Sequence, residues 1–222
     1  MTVSIFTPEV AEILPSKRHV AFRAGHKALP GPGDPIYEPL LAAYREGTRL
    51  VAPRGAWVTL SVEPSDPVSD GVSATDGDPA SAGNLRRPQK GVGSYTGTLP
   101  AEFAGVTAVT LGVTTVGAAL DEAITAAMDA GRQLPGVLLD AFGSEAVECV
   151  SEALDAMLRA SHPAGGTRRF SPGYGDLSIL ENTAILARLG IDFVTANPQT
   201  GILQPRKSTV FLIGWYKEEK TT

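Results

Sequence analysis

Apolar positions along this chain switch between two periods, and the switches mark the predicted elements. Across residues 37–50, Leu40, Leu41, Tyr44 and Thr48 fall on one face at helical spacing, which predicts an amphipathic helix. Residues 51–62 then alternate about Trp57 and Leu60, which predicts a strand. The run 106–114, VTAVTLGVT, reads as a strong, mostly buried strand. Gly112 and Gly117 are expected to bracket a turn. The Ala-rich residues 118–130 predict a helix that stops at Gly131, with Asp121 and Glu122 stabilising its start. Residues 135–139 read as a short strand or an extended entry. The longest helix is expected over 140–160, with Ala146, Val150, Leu154 and Met157 facing inward. Cys149 lies beside that face, so core packing is its expected role. Residues 176–188 predict a further helix, capped by Asp176 or Ser178 and closed by Gly190. Its inward candidates are Ile179, Thr183, Ile185, Leu186 and Leu189. Short strands over 191–195 and 202–203 flank an Asn-Pro turn, and 208–216 is the last strand.

The remaining segments carry weaker patterns. Residues 3–6 are rich in β-formers. Thr7 as N-cap with Pro8 behind it predicts a short helix ending before Pro15. Residues 16–34 show no clear period, and 26–34 form a Pro/Gly loop. A strand is a candidate over 93–98 and a short helix over 100–103. Between 63 and 92, Pro, Asp, Ser and Gly dominate, and the segment is expected to be a long connection or a flexible insertion. Helices and strands mix without the regular spacing of a doubly wound sheet. The predicted fold class is therefore α+β, a single domain with a mainly antiparallel sheet and flanking helices.

Composition narrows the function classes. The chain has 222 residues, 43% hydrophobic and 19% charged, enough for one sizeable core. A net charge of −5 and a pI near 5.2 argue against nucleic acid or an anionic membrane as the main partner. One cysteine excludes an intrachain disulfide, and Cys and His are too few for a zinc site of the usual spacing. No signal-peptide pattern opens the chain and no apolar run approaches the roughly 20 residues of a membrane helix, so a cytoplasmic location is expected. His19, His26 and His162 are scattered and read as surface residues. Asp66, Asp70, Asp76 and Asp78 crowd one loop but lack the EF-hand spacing.

The candidate chemistry gathers in residues 168–215. Ser171-Pro172-Gly173-Tyr174-Gly175-Asp176 forms a rigid turn with two glycines, behind the pair Arg168-Arg169. Glycine permits close approach of a ligand, a ring offers a stacking surface, and a guanidinium binds a carboxylate through two parallel bonds. These properties suit a small zwitterionic ligand with an aromatic base. The same residues also make an ordinary surface turn.

Four motifs in order resemble the activation domain of cobalamin-dependent methionine synthase, in a standalone short form, over roughly residues 100–216. They are Val109-Thr110-Leu111-Gly112; Leu138-Leu139-Asp140-Ala141-Phe142-Gly143-Ser144; Arg169 to Gly173-Tyr174, matching Arg-x-x-x-Gly-Tyr; and Pro205 to Ser208, matching Pro-x-x-Ser, followed by Gly214-Trp215. The resemblance implies a helmet-like α+β domain spanning 1–222 that binds S-adenosylmethionine (AdoMet). It implies reductive methylation of cob(II)alamin carried by a partner methionine synthase or related corrinoid methyltransferase, with a flavodoxin-like electron donor. It assigns Arg169 to the AdoMet carboxylate, Ser171 to a backbone contact, Pro172 and Gly173 to the turn that admits the ligand, and Tyr174 to the adenosyl or corrinoid side. Arg168 is either a second anion contact or an exposed residue. Glu148 lies where the family often has acidic residues, and Ser208 closes the Pro-x-x-Ser motif. The chain departs from the family in lacking an Asp-x-x-Pro-Phe-Phe segment and in placing Val210 and Phe211 where small residues are usual. Phe211 is expected to narrow the groove or change what packs over it. Those departures keep two other functions open: an autonomous AdoMet-using enzyme that transfers an alkyl group or cyclises the aminobutyrate arm, and a non-catalytic assembly subunit.

Overall fold

The computed structural model describes residues 2–62, 97 and 99–217. The expected insertion at 63–92, the four aspartates in it and the chain beyond Lys217 lie outside the described residues, as does all but Gly97 of the candidate strand at 93–98.

The fold is α+β and mainly antiparallel. Strands β1 (Ser4–Phe6), β2 (Arg54–Ser61), β3 (Ala108–Thr115) and β6 (Ser208–Trp215) form one sheet in the order β1-β2-β3-β6, every pair antiparallel. The short strands β4 (Thr195–Ala196) and β5 (Leu203–Gln204) pair separately. Helices α1 (Lys17–Arg23), α2 (Tyr37–Leu50), α3 (Ala119–Asp129), α4 (Gln133–Ala160) and α5 (Glu181–Leu189) complete the chain.

Both faces of the central sheet are covered, which explains why β3 reads as apolar on both sides. On one face Val109, Leu111, Val113, Val210 and Leu212 pack against Ile185, Leu186 and Leu189 of α5. On the other, Phe211, Ile213 and Trp215 meet Leu154 and Leu158 of α4. Polar groups on that second face are paired: the Trp215 indole N–H donates to Thr110 Oγ1 at 2.7 Å, and Thr114 and Ser151 share a hydroxyl bond of 2.6 Å. A further core joins α1, α2, α3 and α4 around Leu40, Leu120, Leu138 and Phe142.

Several expectations are corrected. Residues 7–15 hold one 3-10 turn, Val10–Glu12, whose cap is Glu9 paired reciprocally with Glu12, not Thr7. Residues 17–23 form a helix capped by Ser16, which accepts from His19 N at 3.1 Å. The apolar stretch 135–139 is helical: α4 begins at Gln133, and Pro135 sits in its first turn, where a missing N–H costs nothing. Leu158, not Met157, continues its buried row, since a spacing of four follows the face through Ala146, Val150 and Leu154. Helix α5 starts at Glu181; Asp176 instead accepts from Ala101 N at 3.1 Å, and Ile179 is exposed. Gly112 lies mid-strand rather than at a turn. His162 is not a plain surface residue: its ring stacks on Trp215 at 3.9 Å and meets the Leu158 carbonyl at 2.8 Å, at the C-terminal end of α4. Asp121 is buried and accepts from the backbone N–H of Arg206, tying α3 to the segment before β6.

Candidate functional site

The site is assembled by a strip of chain that adds to the sheet edge. Residues 165–170 run antiparallel to the outer side of β6. Thr167 N–H donates to the Gly214 carbonyl at 2.8 Å, and Phe170 and Leu212 exchange bonds of 2.9 and 2.7 Å. Gly166 is required here, because a Cβ would overlap the Gly214 carbonyl and the Trp215 ring. Extended backbone then sends consecutive side chains to opposite faces. Phe170 enters the α5-side core, edge-on to Phe103. Arg169 goes to the α4 side, where its Nη2 donates to Glu148 Oε2 at 2.6 Å and its guanidinium lies 5.7 Å from the Phe211 ring centre. The pair sits at a half-open seam, with side chains 20% and 43% exposed for Arg169 and Glu148.

The glycine turn follows directly. Tyr174 N–H donates to the Ser171 carbonyl at 3.3 Å, Leu177 N–H to the Tyr174 carbonyl at 3.1 Å, and Gly173 N–H to the Leu177 carbonyl at 2.8 Å. Gly173 and Gly175 have φ of 94° and 54°, which side chains resist. Pro172 is buried beneath the turn, and the Tyr174 side chain stands out at 70% exposure. The turn therefore projects a ring from a backbone locked by three internal bonds.

Of the residues singled out in the sequence, Arg169 and Glu148 are in direct contact, and Ser171 to Tyr174 adjoin them along the chain. Ser208 is not with them. It shares the β6 face of Val210 and Leu212, opposite to Phe211, and its hydroxyl donates to Thr115 Oγ1 at 2.8 Å. Arg168 is exposed, 3.9 Å from Glu102 Oε2. The bulk of Phe211 is absorbed by the sheet: its ring covers Gly112 on the neighbouring strand, where any Cβ would overlap it. A large residue on β6 is thus matched by the smallest one on β3.

One feature went unread in the sequence. Asp140, Ser144 and Glu148 follow at intervals of four on α4, so they line one helix face. Lys207 reaches across to donate to Asp140 Oδ1 at 2.7 Å and Ser144 Oγ at 2.9 Å. Two cations, Lys207 and Arg169, therefore engage one polar row from the sheet side. The spacing was the available signal, but a polar row on a long helix is ordinarily a solvated face. Cys149 packs partly against the helical core, and its thiol is pushed up from its ordinary value, first by burial and then by Glu152, Glu145 and Glu148. Among the described residues no group of three potential metal ligands occurs, and no helix is long and apolar enough to cross a membrane.

No protein-family model matches the chain, and no curated protein matches its sequence. A solved structure does: the MetH reactivation domain bound to AdoHcy aligns with a TM-score of 0.59 and 12% identity, covering 100% of this chain and 81% of that one. At that identity the likeness establishes a shared fold over the full length of this chain.

Proposed function

We propose that this chain binds AdoMet at the seam of Arg169, Glu148 and the Ser171–Tyr174 turn, and acts as a reactivation subunit for a cobalamin-dependent methionine synthase or related corrinoid methyltransferase. The observation that carries the reading is the Arg169–Glu148 pair at 2.6 Å, held beside a glycine turn within a fold shared with a domain whose solved form binds AdoHcy. The donor set fits the ligand chemistry. A guanidinium donates to the carboxylate of the aminobutyrate arm, and an acidic side chain accepts from its ammonium. Before the ligand arrives, each of these groups satisfies the other. Ser171 offers a backbone contact and Tyr174 a ring for the adenosyl or corrinoid side. Ser208 then supports β3–β6 pairing rather than the ligand.

In the proposed reaction one electron from a flavodoxin-like donor reduces cob(II)alamin on the partner, and the AdoMet methyl moves to cobalt, leaving AdoHcy. This chain supplies binding and orientation, not acid–base chemistry. The proposal takes the whole chain, 1–222, as the acting unit. Calorimetric titration with AdoMet tests the reading. Wild type is expected to bind, and Arg169→Ala to bind more weakly by roughly 1.5–3 kcal/mol, the range for a hydrogen bond to a charged group. Equal affinity for the two proteins places the ligand elsewhere and defeats the assignment.

A further inference from the structure

The seam continues past Arg169 and Glu148. The strip 165–170 is antiparallel to β6, so the glycine turn that follows it heads toward the Ser208 end of that strand. Helix α4 lies along the same strand. Leu158 packs in one cluster with Trp215 at the far end, and Asp140 and Ser144 meet Lys207 just before Ser208. The Arg169–Glu148 and Lys207–Asp140 pairs are therefore successive along one polar row, with Ser144 between Asp140 and Glu148. Lys207 is built into its place. Its carbonyl accepts from Val116 N–H at 3.1 Å and from Thr115 Oγ1 at 3.3 Å, and its side chain is only 12% exposed. Gly143 makes room for the stem, since a Cβ there would stand 3.1 Å from Lys207 Cγ. A lysine held in this way takes the Asp140 charge out of the row. Glu145, one residue on from Ser144, is bound to Arg23. Glu148 is then the carboxylate of the row left for a ligand, shared only with Arg169, which a zwitterion engages as well.

We propose that Lys207 is a specificity-determining residue that sets how the seam weighs AdoMet against AdoHcy; the inference rests on the reading that AdoMet binds here. The two ligands differ by a methyl group and a positive charge, the sulfonium of AdoMet against the neutral thioether of AdoHcy. With the ammonium on Glu148 and the adenosyl group on the Tyr174 side, the aminobutyrate arm heads from Glu148 toward Ser144. The carbons between the ammonium and the sulfur span one helical turn, about 5.4 Å. The sulfur is thereby brought beside the part of the row that Lys207 governs. A free Asp140 carboxylate there would attract the sulfonium. That attraction would stabilise bound AdoMet and vanish as the methyl group leaves, so it would hold back the transfer. Paired with Lys207, Asp140 presents a net neutral surface. The site then grips the zwitterionic arm that both ligands share rather than the charge that only AdoMet carries.

Calorimetric titration of the full chain with AdoMet and, separately, with AdoHcy measures the ratio of the two affinities. Lys207→Met keeps the stem and removes the charge, Asp140→Asn removes the carboxylate, and the double variant removes both. Lys207→Met is expected to shift the ratio toward AdoMet by about three- to tenfold. Asp140→Asn should shift it toward AdoHcy, because the lysine charge is then unopposed. The double variant should return close to the wild-type ratio. A merely structural tie would weaken both ligands alike and leave the ratio unmoved. That outcome overturns the proposal, as does a shift of the opposite sign or a double variant that fails to restore the ratio. Wild type that binds both ligands, with a ratio indifferent to Lys207, defeats this inference alone. Wild type that binds neither defeats the reading of the seam as an AdoMet site, and this inference with it.

Discussion

At the residue scale, Gly112 and Phe211 act as one unit. The ring needs the volume that a Cβ would take, and both lie in the middle of a covered sheet. Gly112→Ala is therefore expected to destabilise the fold by about 1–3 kcal/mol, the usual cost of overpacking. In the double variant Gly112→Ala/Phe211→Leu the loss should be smaller than the sum of the two single losses. Urea unfolding of the four proteins measures that coupling. Because the Phe211 ring neighbours the Arg169 guanidinium, the single variant should also weaken AdoMet binding. Cys149 gives a second residue-scale expectation. Burial and three glutamates favour the neutral thiol, so at pH 8 the folded protein should react with iodoacetamide more slowly than a free thiol does. Glu152→Gln removes one of the charges and should speed the reaction. The native pKa is raised, so this thiol's contribution to stability is complete below the ordinary thiol range. It declines as pH rises through the raised value, and unfolding measured from pH 7 to 10 should show that direction.

At the element scale the strip 165–170 decides whether Arg169 meets Glu148. A shift of one residue in its register would exchange the faces of Arg169 and Phe170, burying a guanidinium and exposing a ring. Gly166→Ala forces that problem, since its Cβ overlaps the β6 carbonyl and the Trp215 ring. The expected outcome is joint loss of stability and of AdoMet affinity, read by thermal unfolding and calorimetry on one preparation. An intact affinity would show that the strip does not position the ligand. This strip also marks the limit of what the sequence discloses. Long periodic segments such as 37–50 and 106–114 were legible because burial repeats at the period of the element. The strip has no period, and its strand character comes from Gly214 and Leu212 on β6, far away in sequence. The first turn of α4 was hidden by Pro135 and Gly136, which look like breakers but sit where a helix accepts them; the missing Cβ of Gly136 makes room for Met128. Arg169 and the glycine turn were legible as a candidate site, and the structure sets them side by side with Glu148. Ser208 was assigned to the site by motif, and only the strand's alternation reveals that it faces away.

At the scale of the whole molecule, the seam draws on two parts that the sequence keeps apart: α4 and the strip with its turn. A ligand that bridges Arg169 and Glu148 must tie those parts together more firmly than the ion pair alone. AdoMet at one hundred times its Kd should add roughly 2.7 kcal/mol to the unfolding free energy by mass action. Slower amide exchange is expected in the middle of α4 and in residues 166–177 together, since neither alone completes the site. The same molecule separates a reactivation subunit from an autonomous enzyme. At the seam the Arg169 guanidinium and the Glu148 carboxylate bind one another, and on the proposed reading both grip the aminobutyrate arm rather than the methyl group. Incubation with AdoMet and reductant should therefore leave AdoMet intact, while addition of a cob(II)alamin-loaded methyltransferase should release AdoHcy in proportion to the cobalt methylated. Turnover of AdoMet without the corrinoid protein, lost in Arg169→Ala, would assign the chemistry to this chain itself. Release that requires the corrinoid partner assigns the chain the work its geometry suits, which is holding a methyl donor in place for a reaction that another protein completes.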